Sequence, residues 1–232
     1  MDREAGMDAL RGSGWLSETP VDFREAILSR CAWSRLEPGA LIQAGGEEDG
    51  EISGLARGIV EMRTVLGRAD TPIMHYARPV YWSGLTRIIS GSRGLRAEVT
   101  AKTTVWLARA PHDAVRNLLR ERPEWWQFIP QPTLIYTDIA LNIAADLLIR
   151  DSERRCAAVL LRLTGRRFAD PESPEPAEVD ITQEDLADAA NLSLSSVRSM
   201  LGRLAARGLI EQGYGGVLVR ALAALRAFVD EG

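Results

Sequence analysis

The residues able to do chemistry here are few, and they gather late in the chain. His75 and His112 are the only histidines and Cys31 and Cys156 the only cysteines among 232 residues. Two distant thiols cannot ligate an iron–sulfur cluster or a four-ligand zinc. Neither a Walker-type phosphate loop, a nucleophile elbow nor a metal-ligand spacing occurs, so no enzyme activity, metal or cofactor is expected. Cys31 or Cys156 could sense oxidants, but no basic group is convincingly placed to activate either, so both are expected to be inert, reduced thiols of a cytoplasmic protein. What remains is a short segment in which Leu194, Ser195, Arg198, Ser199 and Gly202 recur at helical spacing. Side chains that are mostly small, polar or basic suit a helix that enters a DNA groove about 12 Å wide. Protein contact through a helical hairpin is the competing use.

The elements that would position that face can be read on either side of it. Thr182-Gln183-Glu184-Asp185 has the form of a capping box opening a short helix, with Leu186, Ala189 and Ala190 on its buried side. Asn191-Leu192-Ser193 interrupts it: Asn tolerates a left-handed turn and Ser193 caps the next helix. That second helix buries Val197, Leu201 and Leu204 and ends at Gly208. Leu209-Ile210-Glu211 and Val217-Leu218-Val219 then flank a glycine-rich tip, as in a hairpin. Helix, turn, helix and hairpin in this order are the sequence form of a winged helix-turn-helix. The net charge of −4 looks unfavourable for a DNA binder. Yet Arg198, Arg203, Arg207 and Arg220 against Glu211 leave residues 191–220 positive by three, and local charge governs phosphate contact.

The rest of the chain is of α+β class. Residues 1–20 have no hydrophobic period and are expected to be a flexible tail. Residues 21–132 show short apolar runs cut by Gly and Pro, the pattern of a double-stranded, jelly-roll-like β-roll. Its best strands are Ile59–Val65 and Ala97–Leu107, bracketed by helices over Phe23–Cys31 and Pro111–Leu119. Residues 133–151 form a long helix in which Leu134, Leu141 and Leu148 fall seven apart. That stripe predicts either a dimerisation helix or an ordinary buried helix of a monomer. Residues 152–232 hold the winged helix-turn-helix, led by a helix over Glu153–Leu163. Within it, Arg166–Asp180 is a Pro-rich acidic linker where no packed element is expected. An apolar content of 46 % supports a true core, no apolar run is long enough for a membrane span, and the charged opening residues do not form a secretion signal.

The arrangement over residues 21–225 resembles the CRP/FNR superfamily of bacterial transcription regulators. It does so most specifically at Ile181–Ala187, Asn191-Leu192-Ser193, Val197 and Arg207-Gly208-Leu209-Ile210. Asp151, Arg155, Ala158, Leu160 and Leu161 resemble the family's hinge and first DNA-domain helix; Pro38-Gly39, Gly58 and Trp82-Ser83-Gly84-Leu85 resemble turns of its roll. The resemblance implies a homodimer joined through residues 133–150, reading a two-fold symmetric duplex site, with RNA polymerase as a further partner. It places phosphate contacts on Thr182, Gln183, Ser193 and Ser196, and base contacts on Leu194, Ser195 and Ser199. No Arg stands at those base-reading positions; Arg198, one residue away, either takes a guanine or grips phosphate, and Arg203 adds charge. A different operator with weaker direct readout is therefore expected.

The sensory pocket departs from the family pattern. Where cyclic-nucleotide binders have a Glu for the ribose and an Arg-Ser pair for the phosphate, this chain places Trp82 and Leu95-Arg96. Cyclic AMP is disfavoured on that ground, and the effector, if one exists, is unknown. Arg93 or Arg96 could serve an anion-binding nest at Ser90–Gly94, or that loop is a solvated turn. Trp125-Trp126 either lines an apolar effector site or packs the long helix onto the roll. The alternative reading of the whole chain is a ligand-binding or interaction module with an impaired helix-turn-helix.

Overall fold

The computed structural model describes residues 3–44, 50–64, 73–91, 97–167, 176–213 and 215–231. The chain divides into two compact units, one within residues 1–71 and 76–138, the other within 72–75 and 139–232. No helix among the described residues is long and apolar enough to cross a membrane.

The first unit begins with α1 (Arg3–Gly12), a 3-10 turn over Trp15–Glu18 and α2 (Val21–Ser29). Strands β1 (Ala32–Leu36), β2 (Leu41–Gln43), β3 (Glu51–Arg57), β4 (Val60–Thr64), β5 (Ile73–Ala77) and β6 (Trp82–Ser83) follow. After α3 (Leu85–Ser90) come β7 (Ala97–Ala101), β8 (Val105–Pro111), α4 (His112–Glu121) and α5 (Gln131–Leu148). The strands form two four-stranded sheets, ordered β1-β8-β3-β6 and β2-β7-β4-β5. Period-two alternation divides the first sheet's side chains between two cores. Val105, Leu107 and Leu55 face the roll interior with Ile42, Val60, Val99 and Ala101. Ala108, Ala110 and Ile52 face the other way, against Leu10, Phe23, Ile27, Val115, Leu118 and Leu119 from the helices.

Three expectations change. Residues 3–20 are not a loose tail: Leu10, Trp15 and Leu16 are buried, because the outward face of the first sheet is apolar and needs covering. Gly6 lets α1 approach that sheet, since a Cβ there would sit 2.5 Å from the Trp33 ring. The single strand expected over Ala97–Leu107 is two, β7 and β8, lying in different sheets. Trp125 does not pack α5 onto the roll; it stacks edge-on with Phe23 of α2 at 5.5 Å, and Trp126 is exposed.

The long helix is present as α5, and it buries little. Tyr136 anchors its first half, its hydroxyl donating to Trp82 O and accepting from Trp82 N. Leu134, Leu141 and Leu148 are 68, 63 and 80 % exposed in the single chain.

In the second unit, α6 (Ser152–Leu163) is the central helix, its residues from Cys156 to Leu163 all buried. Asp151 caps it by accepting from Arg154 N. Then come β9 (Ala177–Val179), α7 (Gln183–Ala190), α8 (Leu194–Ala206), β10 (Ile210–Gly213), β11 (Gly216–Val219) and α9 (Leu222–Asp230). The linker expectation is corrected in part. Residues 168–175 lie outside the described residues, but Ala177–Val179 is a strand that pairs antiparallel with β11, which turns the hairpin into a three-stranded sheet. The free edge of β11 supplies the unpaired backbone groups that recruit it. The sequence reading also missed α9, whose Leu222, Leu225 and Val229 are buried.

Two tests follow from the first unit. Gly84 sits at φ +84°, and a Cβ there would lie 2.3 Å from the Glu51 carbonyl oxygen. Gly91 has φ +76° with open space around it. Gly84→Ala is expected to lower urea-unfolding stability by more than about 2 kcal/mol, and Gly91→Ala by only about 1 kcal/mol. His112 is buried, with Nε2 donating to Gly84 O at 3.0 Å. Burial lowers its pKa first of all, Arg116 and Arg87 add to that, and the Gly84 bond opposes it. The folded state thus holds the ring neutral while the unfolded chain protonates near pH 6.5, so stability falls as pH drops through about 6.5. Between pH 8 and 5.5 the wild type should lose more stability in urea titrations than His112→Gln; equal losses would exclude this role.

Candidate nucleic-acid interface

Helices α7 and α8 carry the segment singled out in the sequence. Thr182 Oγ1 accepts from Asp185 N at 3.0 Å and Asp185 Oδ2 accepts from Thr182 N at 3.3 Å, completing the capping box. Asn191 ends α7 in the left-handed region, φ 52° and ψ 55°. Ser193 opens α8 by accepting from Ser196 N, and its hydroxyl lies 3.1 and 2.8 Å from those of Ser195 and Ser196. Val197, Met200, Leu201 and Leu204 are buried. Met200 was absent from the expected core set.

The opposite side of α8 is open. Ser195, Arg198, Ser199, Gly202 and Arg203 are exposed, and Leu194 and Ser196 are half-buried. A Cβ on Gly202 would touch nothing within 4 Å, so this fold does not itself require glycine there. Gln183 joins this surface to the wing: Arg198 Nε donates to its Oε1 at 3.2 Å, and its Nε2 donates to Gln212 Oε1 at 3.3 Å. Ile181, Leu186, Leu201 and Gly216 line a cleft of about 220 Å³ beside that bridge.

The charge on this surface differs from the sequence expectation. Arg220 pairs with Glu211. Arg203 Nε lies 2.7 Å from Glu153 Oε2, and Arg207 Nη1 lies 3.6 Å from Glu153 Oε1. Glu153 comes from α6, fifty residues before Arg203, and counting charge over a continuous stretch omits it. Among the described residues, Arg198 alone of these four arginines forms no ion pair.

Residues 154–228 match the family model of a Crp-like helix-turn-helix domain. Solved structures extend the likeness to the fold of nearly the whole chain. A CRP/FNR-family transcriptional regulator from Thermus thermophilus is 21 % identical with TM-score 0.67, covering 86 % of this chain and 98 % of its own. The c-di-GMP-responsive global regulator CLP of Xanthomonas campestris is 16 % identical with TM-score 0.68, covering 87 % and 99 %. FixK2 of Bradyrhizobium japonicum is 16 % identical with TM-score 0.68, covering 84 % and 95 %. No curated protein matches the sequence. The chain has the fold of CRP/FNR transcriptional regulators, a β-roll followed by helices and the Crp-like domain.

The roll of this CRP/FNR fold corrects the role expected of Trp82. Its indole is buried on the helix-covered face of the first sheet, edge-on to Trp15 at 5.4 Å, and does not fill the roll interior. The cause lies across the strand pair: Gly54 opposes Trp82, and a Cβ there would be 2.7 Å from the indole, so only glycine lets the ring lie down. Ser83, the next residue, instead lines a polar recess of about 170 Å³ with Gln43, Glu51, Ser53 and Arg109. Sequence reasoning missed this recess, because its members come from four strands with no shared spacing. Arg93 and Arg96 lie outside the described residues. Burial pushes the thiols of Cys31 and Cys156 up to about 12, which leaves both unreactive at neutral pH.

Proposed function

We propose that the chain is a sequence-specific DNA-binding transcription regulator of CRP/FNR type that acts as a homodimer in the cytoplasm, and is not an enzyme. The open face of α8, with its opposite side buried, carries this reading. In it, residues 21–132 are a sensor-like roll, 133–151 the dimerisation helix and 152–232 the DNA-binding domain. Thr182, Gln183, Ser193 and Ser196 serve the phosphates, where hydroxyl and amide donors at helix N-termini suit anionic oxygens. Leu194, Ser195 and Ser199 face the bases, and Arg198 supplies the charge. RNA polymerase is the protein partner expected of such a regulator.

Cyclic AMP is disfavoured as an effector, and whether the chain has one is open. At the position of the family's ribose-binding Glu the chain has Trp82, a core residue without a carboxylate. The pairing of Arg203, Arg207 and Arg220 with carboxylates favours one alternative, a binding module whose helix-turn-helix grips DNA poorly.

Two measurements test the proposal. At low salt the protein should retard random duplex DNA in gel-shift assays, with affinity falling steeply as salt rises. Arg198→Ala should weaken that binding, and reduce the slope of log K against log salt by about 0.9 for each phosphate that Arg198 neutralises. A folded protein that binds no duplex at any salt selects the alternative. The leucine stripe should hold two copies together, because an exposed apolar seam of this spacing pairs with its like. Leu141→Glu, which alters a side chain the single chain leaves uncovered, should convert a dimer to a folded monomer in sedimentation velocity; a wild-type monomer excludes the dimer.

A further inference from the structure

Among the described residues, Glu153 is the one carboxylate that reaches Arg203 of α8 and Arg207 at its C-cap from outside α7 and α8, and its surroundings are specific. It stands in the first turn of α6, which packs on α8, and its side chain is only 13 % exposed. Oε2 accepts from Arg203 Nε at 2.7 Å. Oε1 is buried with no hydrogen-bond partner and faces Arg207 at 3.6 Å. Arg203 in turn donates from Nη1 to Ser199 Oγ at 2.8 Å. Glu153, Arg203 and Ser199 thus form a chain from the domain interior to the exposed face of α8. Arg207 is held a second time, by the Phe228 ring 4.9 Å from its guanidinium carbon.

We infer that Glu153 is a positioning residue that restrains DNA binding: it withholds Arg203 and Arg207 from the phosphates and fixes Ser199 in place. This rests on the reading of α8 as the DNA-facing helix. A carboxylate between two guanidiniums cancels charge that phosphates would otherwise attract, and its own field repels an approaching backbone. Its remaining stabiliser is the N-terminal end of α6, whose dipole favours an anion there. Ion pairs whose arginines are half exposed are individually weak, so the restraint is several-fold in affinity and not many decades. By accepting from Arg203, the Ser199 hydroxyl has its proton left to donate outward, toward a base-edge acceptor. The acidic residue therefore sets two properties: weak general affinity for duplex, and a donor at a base-reading position.

The test is a double-mutant cycle on the whole 232-residue chain with random duplex DNA, read as affinity and as salt slope. Glu153→Gln keeps the side-chain shape and removes the charge. It should bind several-fold tighter than wild type at low salt, with a slope steeper by about 0.9 for each further phosphate neutralised. Arg203→Gln should change wild-type affinity little and cost Glu153→Gln most of its advantage. Circular dichroism melting of each variant shows whether the fold is intact; if Glu153→Gln unfolds, the single Arg203→Gln variant still decides, because a large loss in the wild-type background overturns the inference. Equal effects of Arg203→Gln in both backgrounds, or an unchanged slope in Glu153→Gln, overturn it too. Failure of the wild type to bind duplex at all is a separate outcome, and removes the DNA-binding reading beneath it.

Discussion

A helix that buries Val197, Met200, Leu201 and Leu204 has committed one side to the core, and its 3.6-residue period then forces Ser195, Arg198, Ser199 and Gly202 outward. The functional reading of this chain depends on that constraint. The apolar side of α8 is worth several kcal/mol per large residue, as core truncations of this kind cost about 2–5 kcal/mol each. No rearrangement of the surface side chains competes with it. The caps at Thr182 and Ser193 and the left-handed Asn191 then settle how α7 and α8 join, each contributing about 1 kcal/mol.

A second constraint lies deeper in the same unit. Asp146, near the C-terminal end of α5, is 1 % exposed, and its oxygens lie 3.2 Å from Arg162 Nε and 3.2 Å from Arg167 Nε. Arg167 continues to Asp230 of α9 at 2.8 Å. Burying one partner without the other would cost several kcal/mol, so the ends of α5, α6 and α9 are tied as a group. Specificity of orientation is what such a buried pair supplies, since apolar residues of similar volume would hold the helices as well. These ion pairs lie in the same compact unit as α8 and its open face.

The surface around that face differs from its nominal charge. Three of its four arginines are matched by carboxylates, so its unmatched positive charge is concentrated at Arg198, which the neutral Gln183 amide steadies. On the proposed reading, a DNA-binding surface built this way gives up general grip. The demand shifts to hydroxyl contacts and to whatever the duplex shape contributes.

Much was legible from the sequence alone where the determinants are local. The capping box, the Asn191 turn, the Ser193 cap and the period of α8 are set by residues within a few positions of one another, and each took the expected form. So did the two-sheet roll, whose Gly and Pro punctuation is equally local. The tertiary structure alone decided which charges meet and which faces are covered. Glu153 opposes Arg203 across fifty positions, Trp82 lies down on Gly54 from the neighbouring strand, and residues 3–20 fold because a distant sheet face needs covering. Pairings of that kind depend on separations through space of a few ångströms, and periodicity along the chain carries no record of them.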